Sequence, residues 1–383
     1  MNLLRFYFYT IVLHLTLTGS SFVQIGDAVS IKLDSSVVYT HTNNLFHDNS
    51  SKQSDEYFTL APGVEVNIGQ NDVGLNLNFG LAYDLIRYTN YDQFDSDLYK
   101  FNFSGSSVQN SILDSEFYYS QLEFQSPRSD FDVAGNPDLI KSTQTAYGFV
   151  SEYSYSPKLS FGIGITGTEL EFDAPVPIVN QLAAKESYSI PFDVFYKYSE
   201  KLDVVYGITY TNQKVGERSY FNFNGFESDS YYFNVGLRGD ILPKLSGQFS
   251  VGHRTLEFSH TYSDREMLGL QSSLNWKLTP KFKSLISLDR NFDTAGSGES
   301  YDLSRIRVSN SYSINTEYFA SLNFTYTEKD YSSRTDQMEN VSLMLSYVPG
   351  YNSRYSIGFV LVDSQSVVDY EVEEFRLSAD LSY

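Results

Sequence analysis

Cysteine is absent from the 383 residues, tryptophan occurs once and histidine five times. Without cysteine the chain has neither disulfide staples nor the lipidation site of a lipoprotein, so a fold of this size needs another source of stability. Alanine, glutamate and leucine never collect in the long runs that helices favour. No apolar run reaches the ~20 residues that a membrane-spanning helix requires. Basic residues are scarce too: 27 Lys and Arg stand against 47 Asp and Glu, a formal charge of −20. Lacking a basic face to meet phosphates, the chain is not expected to bind nucleic acid.

The longest apolar stretch, FYFYTIVLHLTLT from Phe6, follows the single charge of MNLLR and precedes the small residues of TGSS. That three-part layout predicts a cleaved secretory signal over residues 1–21, leaving 22–383 as one domain outside the cytoplasm.

What the chain holds in abundance is 32 Tyr, 29 Phe and 24 Gly, a composition suited to pleated, half-buried surfaces and therefore to an all-β protein. The order of residues points the same way. From Val73, VGLNLNFGLAYDL places Val73, Leu75, Leu77, Phe79, Leu81, Tyr83 and Leu85 on one face of a strand and Gly74, Asn76, Asn78, Gly80, Ala82 and Asp84 on the other. The same period of two recurs at 202–210, 231–241, 268–278 and 341–347. These segments run to about ten to fourteen residues, where strands of soluble domains average about five or six.

A short phrase returns throughout the middle of the chain: YSPKLSFGIGI from Tyr155, YSEKLDVVYGI from Tyr198, ILPKLSGQFSV from Ile241 and LTPKFKSLISL from Leu278. Each reads as a tight turn followed by a rising strand. Short connectors of this kind alternate with long ones such as HTNNLFHDNSSKQSDE, QSPRSDFDVAGNPDLIKST, DAPVPIVNQLAAKE and TAGSGES. Backbone N–H and C=O groups inside hydrocarbon must all be paired, and for β structure only a closed cylinder achieves that. The expected fold is a transmembrane, antiparallel, up-and-down β-barrel of about eighteen strands, with sixteen as the neighbouring even count. It would have short periplasmic turns, long outer loops and an apolar exterior in contact with outer-membrane lipid. Tyr147, Tyr155, Tyr188 and Tyr198 are expected in its interfacial girdles. The closing FRLSADLSY alternates Phe375, Leu377, Ala379, Leu381 and Tyr383, and resembles the terminal signal read by the barrel assembly machinery of Gram-negative outer membranes.

A second resemblance lies in the first hairpin. VVYTHTNNLFHDNSSKQSDEYFTLAPGVEVNIG, with Asn43-Asn44-Leu45-Phe46, Lys52, Asp55 and Pro62-Gly63, is similar to the opening of the β-barrel porin family associated with exopolysaccharide gene clusters. The resemblance implies export or assembly of a surface polysaccharide, in concert with periplasmic export components, and brings no catalytic residue or cofactor. A general diffusion porin for small solutes is the alternative function, and a structural or adhesive barrel with a closed lumen is the third.

About eighteen strands leave room for an aqueous lumen. On the face opposite the apolar stripe, early strands supply Glu65, Asp84, Glu152, Asp193 and Asp203, with Lys100 and Lys197 as exceptions. Later strands supply Arg238, Arg254, Lys277, Lys283, Arg305, Arg307 and Arg376, alongside Asp240, Asp289, Glu374 and Asp380. The basic set would form a track for anions. Equally, it would pair across strands with the acids, since a slip of one residue reverses every assignment. The stretch from Asp173 to Glu186 is too apolar for an ordinary water-exposed loop, and Val176, Ile178, Val179 and Leu182 are expected to form a constriction, to pack against a neighbouring subunit or to cover the rim. Catalysis has little to work with. His41, His47, His253 and His260 remain after the signal; His260 near Ser263 has no supporting motif, and His41 and His47 with Asp48 make a weak metal set. Neither an enzyme nor a metal site is expected.

Overall fold

The structure, a computed structural model, describes residues 22–26, 28–69, 74–109, 112–133, 135, 137–174, 178–218, 223–259, 262–350 and 352–383. The expected signal over 1–21 lies outside them. A short strand β1 (Val23–Ile25) precedes the wall strands β2 (Val29–Thr42), β3 (Asp55–Ile68), β4 (Gly74–Tyr88), β5 (Ser96–Gln109), β6 (Leu113–Pro127) and β7 (Leu139–Ser156). Then come β8 (Leu159–Asp173), β9 (Lys185–Lys197), β10 (Leu202–Val215), β11 (Phe226–Leu242), β12 (Leu245–Phe258) and β13 (Arg265–Trp276). The wall finishes with β14 (Phe282–Thr294), β15 (Ser300–Ser313), β16 (Tyr318–Asp330), β17 (Thr335–Tyr347), β18 (Ser353–Gln365) and β19 (Tyr370–Ser382).

Each wall strand pairs antiparallel with its neighbour in sequence, and β19 returns to β2 from Glu374↔Thr42 to Ser382↔Asp34. The eighteen strands β2 to β19 therefore close into the expected barrel. Leu33 and Tyr383 complete the seam by exchanging backbone hydrogen bonds of 2.7 and 2.8 Å. Below that point β2 has no partner from β19, and β1 folds back to pair Val23, Gln24 and Ile25 with Ile31, Ser30 and Val29. An edge that would otherwise expose unpaired N–H and C=O groups is thereby covered.

The recurring turn phrase has a physical basis. In YSPK, YSEK and LTPK the hydroxyls of Ser156, Ser199 and Thr279 each accept the backbone N–H of the lysine two residues on, all at 3.3 Å, the side-chain-closed turn that Ser and Thr favour. ILPK has leucine in that place, and its Lys244 instead takes a positive φ of 71°. The lysine carbonyls then join each hairpin to the next: Lys158, Lys201, Lys244 and Lys281 accept the N–H groups of Lys197, Asp240, Lys277 and Ser313. The repeat is a stitch along one rim.

At the other rim the connections shorten along the chain, from 43–54, 128–138 and 174–184 to 331–334 and 366–369. The TAGSGES connector proves brief, only 295–299, because β14 and β15 extend into it. The strands are also longer than the ~9–11 residues a bilayer needs. The excess protrudes on the long-loop side, where β8 turns Glu169, Glu171 and Asp173 outward on the face opposite Leu170 and Phe172. Exposed Tyr155, Tyr198, Trp276 and Tyr312 ring the short-turn side. Toward the long-loop side Tyr188, Tyr210 and Tyr231 follow one another at 6.1 and 5.4 Å, and the Tyr147 ring covers Gly167. Both placements suit interfacial aromatics.

Candidate functional site

Which face looks inward follows from one contact. Arg238 on β11 donates from Nη1 and Nη2 to Glu152 on β7 at 2.7 and 3.1 Å, across three intervening strands. Four strand spacings cover about 19 Å of wall, so two side chains meet only across the interior of a sharply curved sheet. Gly162 and Gly207 sit on the inner surface of this bend. A Cβ on Gly162 would lie 3.0 Å from the Phe195 ring, and one on Gly207 would strike Asp193 and Asn234. Bare backbone lets the corner close.

Ladder partners share a face, so the inward assignment passes strand by strand from Arg238 to Gln248, Ser273, Ser287 and Arg307. All the strand acids and bases assigned inward from the alternation fall on this inner face. Lys277 is the exception in position: β13 ends at Trp276, and Lys277 lies exposed in the following turn. Lys283 stands exposed at the start of β14. Arg238 is held by Glu152 and by Asp203 at 2.8 Å, and stacks 3.7 Å over Phe195. Arg376 is bound to Glu374. These two basic residues are thus neutralised by carboxylates, whereas Arg254, Arg305 and Arg307 lie around Asp289, and the next acid, Asp293, is paired with Lys185.

The mouth at the long-loop rim is filled. The described residues of the 128–138 connection fold across it and meet partners on the far side of the barrel. Ser297 donates its N–H to Phe131 at 3.1 Å, and the Phe46 carbonyl accepts the Ser129 hydroxyl at 3.3 Å. Asp130 lies 2.7 Å from His47 and accepts the Tyr370 hydroxyl at 3.1 Å. Asp132, buried and at φ 58°, accepts Lys329 Nζ at 2.6 Å and the Tyr331 hydroxyl at 2.9 Å. Burial and then the Asp132 charge push the Tyr331 phenol well above its usual pKa. Beside it Arg334 stacks 3.8 Å over Tyr331 and donates to Glu299 at 2.7 Å. Burial works against that guanidinium charge, but the Glu299 hydrogen bond prevails and raises its pKa.

The second infolded segment comprises residues 178–184. Leu182 is buried with Phe131, Val133 and Ile140, and Ile178 packs against this cluster. Val179 opens a single 3-10 turn and is half-buried; Val176 lies outside the described residues. Ala183 donates its N–H to Gly296 at 2.8 Å, and Lys185 pairs with Asp293 five strands away. Beneath these loops the inner wall is dry, with Thr42 and Val372 at 2% exposure and Ser142 at 0%. Toward the short turns it is open: Val150 is 41% and Leu285 46% exposed on the same inner face.

The histidines have separate partners. His41 lies 3.8 Å from Glu56, His47 faces Asp130, and His253 lies 3.6 Å from Glu266, while His260 falls outside the described residues. At the closing strand Phe375 packs on Phe359 at 5.2 Å, and Leu377, Ala379 and Leu381 share its outward face. The alternation had not marked residues 128–138, although Phe131 and Val133 are as apolar for a loop as Ile178 and Leu182.

The family described as "Putative beta-barrel porin 2" matches residues 186–379, just over half of the chain. The chain belongs to this porin family. The match runs from the start of β9 into β19, so the first hairpin, where the resemblance was read, lies outside it. With eighteen strands closed around a lumen, the porin is an outer-membrane β-barrel in contact with lipid. Among solved structures it is similar to OccAB4 of Acinetobacter baumannii, at 10% identity, 93% coverage of this chain, 99% of that one, and TM-score 0.48. OpdQ of Pseudomonas aeruginosa gives 10%, 93%, 97% and 0.48, and a BenF-like porin of Pseudomonas fluorescens Pf-5 gives 9%, 93%, 99% and 0.49. No curated protein matches the chain.

Proposed function

We propose that this porin is a diffusion channel for small polar solutes, without catalytic activity. The observation that carries the reading is the division of the lumen: two loops fill the mouth, while the inner wall below them stays wet and charged. A mouth built this way admits solutes by size, and the wall then selects by charge. Purified protein in liposomes should support swelling at rates that fall steeply as solute mass rises. No swelling with any small sugar or amino acid, from a barrel shown to be folded, would overturn the reading.

Export of a surface polysaccharide is the second reading, favoured by the likeness of Asn43 to Phe46 and Pro62-Gly63 to the exopolysaccharide-linked family. A deletion strain that loses surface polymer but keeps its permeability to small solutes would support it instead. In either case the outward row Phe375, Leu377, Ala379, Leu381 and terminal Tyr383 is the segment we assign to recognition by the assembly machinery.

A further inference from the structure

Three guanidinium groups share the electrostatic field of one carboxylate on the inner wall. Asp289 on β14 stands opposite Arg305 on β15, and Arg307 follows on the same inner face opposite Ser287. From β12, Arg254 adds its field to those of Arg305 and Arg307 around Asp289. Asp293, the other acid within reach, is taken by Lys185, so the three guanidinium charges face Asp289 with a surplus of two. Among the described residues none of these three arginines closes to an ion pair, in contrast to Arg238 and Arg376, whose carboxylates hold them. Arg254 is stacked 4.2 Å over the Tyr232 ring, and its buried Nε has no hydrogen-bond partner among the described residues. Arg307 is exposed to the lumen. Asp289 takes its hydrogen bonds from the Asn291 amide, at 3.1 and 3.2 Å, rather than from any of the three.

We propose that Arg254, Arg305 and Arg307 form a binding site for small carboxylates, in which Asp289 acts as a built-in competitor that keeps the hold weak. A guanidinium presents a planar fork that matches a carboxylate, and clustered forks left without fixed partners are free to take one from a solute. A channel site must also release what it binds, because a solute held too tightly blocks the path it should cross. A resident aspartate in the middle of the cluster provides that release: it offsets part of the positive field that an arriving carboxylate would otherwise feel in full. The site rests on the diffusion-channel reading, since the solute must reach it through the lumen.

The test is the ion current through the reconstituted porin in planar bilayers, with succinate as probe and each channel normalised to its own succinate-free current. The unmodified channel should prefer anions and be partly blocked by millimolar succinate. Asp289→Asn should lower the half-blocking concentration about tenfold, and Arg307→Gln should raise it by about the same factor. Arg305→Glu combined with Arg307→Glu should reverse the ion preference. An Asp289→Asn channel blocked no better than the original would overturn the competitor role; should that variant fail to assemble, block unchanged by Arg307→Gln would overturn the site. A conducting channel with no anion preference and no succinate block removes this site but leaves the channel reading intact. A folded barrel that passes no current removes both.

Discussion

Strand β7 changes character along one face. At Ser142 its inward side is sealed from solvent, and at Val150, on the same inward face, it is 41% exposed. The alternation, the neighbouring strands and the inward direction are the same at both positions. The difference comes from Phe131, Val133 and Leu182 of the two loops, which pack over Ile140 and stop there. A barrel wall is therefore neutral about whether its interior is filled or open, and the loops decide.

Removing the filling should have the largest effect. Deleting Val176 to Ala184 strips Leu182 and Ala183 from the mouth and should raise single-channel conductance several-fold; conductance equal to that of the intact chain would mean that the segment only covers the rim. The next effect concerns the tether of the other loop. Lys329→Met leaves the Asp132 carboxylate buried without its cation, a loss of about 3 kcal/mol for such pairs. It should produce flickering currents and protease cleavage within 128–138, whereas steady currents and an uncut loop would show that the packing of Phe131 and Val133 suffices. The smallest change is Tyr331→Phe, which removes one hydrogen bond to the Asp132 carboxylate and should cost the mouth about 2 kcal/mol. It is expected to appear as slightly faster hydrogen exchange in 128–138 with conductance unaltered, and exchange as fast as in Lys329→Met would place the tether in the hydroxyl rather than the lysine.

Much of this was legible in the residue order. Eighteen strands, their inward and outward faces and the stitched rim follow from a period of two and from Ser/Thr-x-Lys turns, all of which act within a few residues. The inward acids and bases were legible for the same reason, with Lys277 misplaced because a strand end is set by where pairing stops and not by where alternation stops. Their partners were not. Arg238 could have been free to serve a solute; it is held by Glu152, 86 residues earlier in the chain. Asp132, which carried no mark in the sequence, anchors the mouth through Lys329, 197 residues away.

The amino-acid order alone determined that this chain must close on itself, because its alternating strands have one oily face for lipid and backbone groups that lipid cannot satisfy. Only the tertiary structure decided which loops turn inward and which arginines are left without carboxylates. Both depend on distances between strands remote in sequence, fixed by the curvature of the closed wall and the bare glycines at its bend.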